Sequence, residues 1–142
     1  MGNDETLANV PLFAEFGTGQ LKRLARALYP RQHQAGEVIL KEGDEAVGFY
    51  VVSSGRLEVV KDLGGPKETV LASLGPGDFF GETALLDGYP RSASIRALED
   101  GECLVMTRWD FLAELKSSGD MAVQVLRTLA RRLRETDARL TE

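Results

Sequence analysis

The chain has 142 residues, 17 Lys+Arg against 22 Asp+Glu for a net charge of -5, one Cys and one His. The acidic balance speaks against a phosphate-backbone binder. A single cysteine excludes an internal disulfide framework, and a single histidine excludes metal sites built on two or more imidazoles. The length suits one domain with a real core, expected over residues 1–142. No run of ~18 apolar residues and no basic-then-apolar leader is visible, so a soluble, cytoplasmic domain with no membrane contact is expected.

Residues 1–36 read as a helical, irregular segment. Its strongest piece is TGQLKRLARAL, in which Thr18 can cap and Leu21, Leu24, Ala25 and Leu28 share one face. Pro30 is expected to stop that helix. Residues 37–107 hold most of the 15 glycines and several short β-type runs: EVILK, VGFYVVSSGRLEVV, ETVLASL, SASIRA and ECLVM. Turn signals EGDE, LGGP, LGPGD and LDGYP separate them. Strands at this spacing predict a sandwich, roll or barrel. GETALLDG interrupts the β rhythm with a single helical turn that opens at Gly81.

From Trp109 the periodicity is helical. WDFLAELKSS forms a short helix interrupted at Gly119, and Asp120 is expected to cap a longer one running to about Leu140. Along it Ala122, Leu126, Leu129, Leu133, Thr136 and Leu140 follow in steps of 4, 3, 4, 3, 4, a heptad seam. Two readings stay open: a helix packed on its own β domain, or a coiled coil between two subunits, which the flanking Arg and acidic residues favour. Trp109 is expected to anchor its helix to the core, Cys103 to fill the core, and His33 to be a surface or structural residue. Arg131 and Arg132 read as part of a solvated face, since residues 120–142 hold five Arg against four acids.

The chemistry concentrates in GPGDFFGETALLDGYPRSASIRA, residues 75–97. Gly81 admits a ligand close to the backbone, and the helical turn after it offers unpaired N–H groups and a positive dipole end to an anion. Pro90 stiffens the approach to Arg91, whose guanidinium can grip two phosphate oxygens at once. Ser92 and Ala93 can add N–H donors. A carboxylate beside an anion site repels it unless it accepts from a neutral part of the same ligand, so Glu82 suits a ribose 2′-hydroxyl. Two plainer readings compete: Glu82 as a helix-start acid, and Arg91 as its ion-pair partner.

FGETALLDGYPRSAS resembles the phosphate-binding cassette of cyclic nucleotide-binding domains. EGDEAVGFYVVSSGRLEVV is similar to the first half of that family's roll, and LARRLRETDARL resembles the long helix of bacterial catabolite-activator-type sensors. The resemblance runs from about Leu12 to Leu140. It implies an α+β fold: an antiparallel β-roll, of the double-stranded β-helix or jelly-roll kind, with N-terminal helices, a short cassette helix between strands and two C-terminal helices. The roll would span 37–107, the cassette 80–94 and the C-terminal helices 108–142.

The implied ligand contacts are Phe80, Gly81, Glu82, Thr83, Ala84, Arg91, Ser92, Ala93 and Thr136. Among them Gly81 lies against the sugar-phosphate ring, Glu82 accepts from the ribose 2′-hydroxyl, and Arg91 neutralises the cyclic phosphate. Thr136 falls where activator-type proteins place a threonine on the purine, although Asp137 stands where a serine is usual. The plainer reading of Thr136 is a polar seam residue that sets helix register.

The implied function is non-catalytic: binding of a 3′,5′-cyclic purine nucleotide, cyclic AMP in preference to cyclic GMP, with signalling through the C-terminal helix. No metal and no cofactor beyond that ligand are expected. The expected partners are a second copy of the chain, through the C-terminal helix, and a protein effector. Direct DNA contact is not expected, because the chain leaves no room for a recognition helix. A metal-dependent cupin is disfavoured by the lone His33. Two alternatives remain: a dimerisation or interaction module that keeps the fold without the ligand, against which Glu82 with Arg91 argues, and a truncated transcription-regulator sensor without a DNA-binding domain.

Overall fold

A computed structural model describes residues 7–14 and 16–141, apart from the side chains of 139–141. Among these residues eight strands form two four-stranded antiparallel sheets. One has the order β1 (Leu28–His33), β8 (Gly101–Thr107), β3 (Gly48–Ser54), β6 (Phe79–Phe80). The other runs β2 (Val38–Leu40), β7 (Ser94–Ala97), β4 (Leu57–Lys61), β5 (Thr69–Leu74). Helices α1 (Thr18–Ala27), α2 (Glu82–Asp87), α3 (Arg108–Ser117) and α4 (Gly119–Thr141) complete the fold. This is the expected α+β roll. No described helix is long and apolar enough to cross a membrane.

The central strands β3 and β8 of the first sheet are buried on both faces over most of their length, which explains why GFYVV reads as an unbroken apolar run rather than an alternating one. Phe49 and Val51 of β3, with Leu104 and Met106 of β8, face the helices, against Phe13, Leu24, Phe111, Met121 and Val125. The alternate residues Tyr50, Val52, Cys103 and Val105 face the second sheet and close a separate core with Ile39, Leu57, Phe80 and Ile95. Cys103 is thus a core residue, and burial raises its thiol pKa to about 12.

Several expectations are corrected. The N-terminal zone is not helical to its end, because residues 28–33 form β1. A residue before proline avoids the helical region, so α1 ends at Ala27 and the chain turns extended into Pro30. β1 lies at a sheet edge, where a missing N–H is tolerated. Thr18 does not cap α1; Gly17 occupies that position without a side-chain bond. Ser118 rather than Asp120 caps α4, its Oγ accepting from Met121 N at 3.2 Å.

Trp109 is 78% exposed and anchors nothing. Phe111 does so instead, fully buried and stacked on Phe49 at 4.5 Å between ring centroids. His33 is buried, so the surface half of its reading falls. The heptad seam divides: Leu129 packs toward the core, whereas Leu126 and Leu133 are each 63% exposed. The Leu140 side chain lies outside the described set, as do residues 1–6.

Candidate functional site

The polypeptide leaves β6 at Phe80, turns through Gly81, and enters α2. Gly81 has φ +92°, a left-handed conformation that glycine adopts without steric cost. Its missing side chain matters too. A Cβ there would lie 3.0 Å from an Arg91 guanidinium nitrogen, 3.0 Å from the Gly48 carbonyl and 3.4 Å from the Tyr50 ring. Gly88, also left-handed, ends the helix, with its N–H donated to Ala84 O at 3.0 Å. The loop that follows is clamped to residues 43 and 44: Arg91 N donates to Asp44 O and Gly43 N to Arg91 O, both at 2.8 Å.

Arg91 is 5% exposed and has no carboxylate partner among the described residues. Its two terminal nitrogens donate to backbone carbonyls, Gly81 O at 2.6 Å and Gly48 O at 2.8 Å, and its Nε is buried without a partner among the described residues. The reading of Arg91 as the ion-pair partner of Glu82 is therefore wrong. Burial lowers the Arg91 pKa, opposed by the nearby Tyr50 and Glu82.

Glu82 is 1% exposed, and its ion-pair partner is Arg132 of α4. Arg132 also donates to Phe79 O at 2.7 Å and lies over the Phe79 ring, 5.2 Å from its centroid. The solvated-face reading of Arg132 is overturned. Burial pushes the Glu82 carboxyl above its usual range, and the Arg132 charge is the main opposing influence.

These groups border a cavity of about 620 Å³, within the span of small-molecule clefts, roughly 300–1,000 Å³. All nine sequence-predicted residues line it: Phe80, Gly81, Glu82, Thr83, Ala84, Arg91, Ser92, Ala93 and Thr136. The sequence reading missed Arg131, Arg132 and Glu135, which join Thr136 on the α4 side, and the wall formed by residues 71–74 of β5. A signal for Arg132 existed: it lies four residues before Thr136 and so shares its helix face. Thr136 Oγ donates to Arg132 O at 3.0 Å, which leaves the hydroxyl oxygen free to accept.

A roll whose strand–helix–loop insertion brings a buried arginine and a buried glutamate to one cleft defines a domain built to hold a small anionic ligand with a polar, uncharged portion. The model of the cyclic nucleotide-binding domain matches residues 30–118, and the chain belongs to that family. It is similar to a cyclic AMP receptor protein of Thermus thermophilus, 42% identical over 120 residues that make up 84% of this chain and 54% of that protein. The crystal structure of the Thermus thermophilus catabolite activator protein matches with a TM-score of 0.82 at 37% identity, over 92% of this chain and 62% of that one. A cyclic nucleotide-gated potassium channel of Rhizobium etli is 35% identical over 130 residues, 92% of this chain and 35% of the channel. The chain thus spans little more than half the length of the Thermus receptor protein.

Proposed function

We propose that the chain is a non-catalytic receptor for a 3′,5′-cyclic purine nucleotide. The observation that carries this reading is Arg91, a guanidinium buried at the cavity wall whose hydrogen bonds among the described residues go to carbonyl oxygens. An anionic ligand group supplies the missing counter-charge, and a cyclic phosphate carries one negative charge. Glu82 then has a role that a phosphate alone does not explain. A carboxylate has two oxygens and about four lone-pair sites, so Glu82 can hold Arg132 and accept from a ribose hydroxyl together. That links sugar, cassette and α4 through one residue.

The base lies under α4. Because the Thr136 hydroxyl proton is spent on Arg132 O, its oxygen presents an acceptor. An acceptor suits the 6-amino group of adenine and not the 6-oxo group of guanine, which favours cyclic AMP over cyclic GMP. Signalling follows if the ligand binds one position of α4 more tightly than another, since only that difference in affinity shifts the equilibrium. The exposed Val123, Leu126 and Leu133 of α4, with Ala130 between them, repeat in steps of 3, 4 and 3. They support a homodimer through this helix, acting in the cytoplasm on a protein effector.

The test is calorimetric titration of the chain and of Arg91→Ala with cyclic AMP and cyclic GMP. Micromolar binding of cyclic AMP is expected, weaker binding of cyclic GMP, and neither in the variant, where the buried phosphate loses its charged donor. Unchanged affinity in Arg91→Ala would overturn the reading.

A further inference from the structure

Lys61 is the last residue of β4. The β4–β7 register pairs Val60 with Ser94, so the next step sets Lys61 beside the segment that follows Arg91. Its Nζ donates to Ser92 O at 2.7 Å. The same ammonium lies 3.2 Å from a Glu42 carboxylate oxygen. Glu42 is itself fixed at both ends: its other oxygen accepts from Asp62 N at 2.9 Å, and its own N–H donates to Ser94 Oγ at 3.0 Å. These bonds hold the Glu42 carboxyl below its usual range, the Asp62 N–H first and Lys61 second. Three separate stretches of chain, around residues 42, 61 and 92–94, therefore meet at one ammonium group.

We propose that Lys61, oriented by Glu42, is a positioning residue for the ligand's anionic group. The inference rests on the cyclic-nucleotide reading above and names a residue outside the cavity lining. A trans peptide is planar, with its carbonyl and the following N–H pointing to opposite sides. Pinning Ser92 O on Lys61 therefore fixes the whole Ser92–Ala93 peptide and turns the Ala93 N–H away from the ammonium. Ser92 and Ala93 line the cavity, and neither of their N–H groups has a partner among the described residues. The opposite end of this segment is already held through Arg91 by Asp44 and Gly43. Ser94 is held in turn by Val60 and by Glu42 N. Without Lys61 the Ser92–Ala93 peptide between the two anchored ends therefore has no tie of its own, and the donors beside Arg91 must be ordered when the ligand arrives. That ordering cost is charged against affinity.

The experiment compares the unmodified chain with Lys61→Met and Lys61→Arg, titrated with cyclic AMP and, separately, with adenosine, which lacks the phosphate. The Lys61 side chain is half exposed, so both variants are expected to fold. Lys61→Met should weaken cyclic AMP about three- to tenfold, the size of one ordinary net hydrogen bond, since the half-exposed ammonium is screened by water. It should leave adenosine unchanged, and Lys61→Arg should recover most of the loss. In the ligand-free protein, Lys61→Met should also move the Ala93 amide resonance in a ¹H–¹⁵N spectrum. Equal loss for both ligands, full cyclic AMP affinity in Lys61→Met, or an unmoved Ala93 amide would overturn the inference while leaving the functional reading intact. Failure of the unmodified chain to bind cyclic AMP would remove the functional reading itself.

Discussion

Arg132 of α4 donates to the carboxylate of Glu82 in α2, fifty residues away in sequence. Their environments are unequal: Glu82 is almost wholly buried, while the Arg132 side chain is 36% exposed. Removing the arginine strands an acid in a desolvated place, whereas neutralising the acid leaves the arginine able to reach water. Arg132→Ala is therefore expected to cost about 1–3 kcal/mol and lower the thermal midpoint by several degrees. Glu82→Gln keeps an oxygen acceptor without the buried charge and should stay within about 1 kcal/mol of the unmodified chain. Calorimetric midpoints at neutral pH decide the matter, and equal losses in the two variants would contradict the asymmetry.

Gly81 is constrained twice, by its positive φ and by what crowds its Cα. A left-handed conformation costs an ordinary L-residue about 1–2 kcal/mol, and a Cβ here would press on the guanidinium that donates to this residue's own carbonyl. Gly81→Ala should thus lose stability and, beyond that, lose cyclic AMP binding through displacement of Arg91. Gly88→Ala is the control, since it shares the positive φ but has open space around its Cα. It should lose comparable backbone stability while retaining ligand affinity. Retained affinity in Gly81→Ala would count against the coupling of Gly81 to Arg91.

The cassette was legible because its chemistry is local: Gly81, Glu82 and Arg91 lie within one strand–helix–loop unit, and each choice of residue has a short-range reason. The strands of the roll were legible for the same reason, from alternation and turn residues. What escaped were relations across the fold. The extended course of β1 follows from pairing with β8 at the far end of the roll, a partner that nothing local in LYPRQH announces. The buried partner of Glu82 was hidden because a charge run on a helix looks solvated until the helix is laid against another element. The heptad pattern of α4 was real, yet periodicity does not say which apolar stripe meets its own domain. Met121, Val125 and Leu129 do so, leaving Leu126 and Leu133 outward.

That outward stripe leads to a test of assembly. Exchanging Leu126 and Leu133 for Glu places two charges where the proposed dimer buries apolar surface, and neither residue is in the domain core. The double variant L126E/L133E should sediment as a monomer with unchanged far-ultraviolet dichroism, while the unmodified chain sediments as a dimer. A monomeric unmodified chain would rule out the helix-mediated homodimer.

His33 gives the fold a pH dependence independent of the ligand. The side chain is 3% exposed, and neither ring nitrogen has a hydrogen-bond partner among the described residues. The charged groups acting on it are Glu37 and Asp100, which favour protonation, and Arg31, which opposes it; burial outweighs them and lowers its pKa. Below about pH 6.5, the ordinary histidine value, the unfolded chain therefore binds more protons than the folded one. Stability linked to His33 is complete above that pH and is lost progressively as the pH falls from there through the lower folded-state value. His33→Leu removes the titrating group at a site where both nitrogens are already unsatisfied, so it should cost little at pH 7.5. It should also lose less stability than the unmodified chain between pH 7.5 and 5.5, as read from thermal midpoints in matched buffers. Parallel declines in the two proteins would place the pH sensitivity elsewhere.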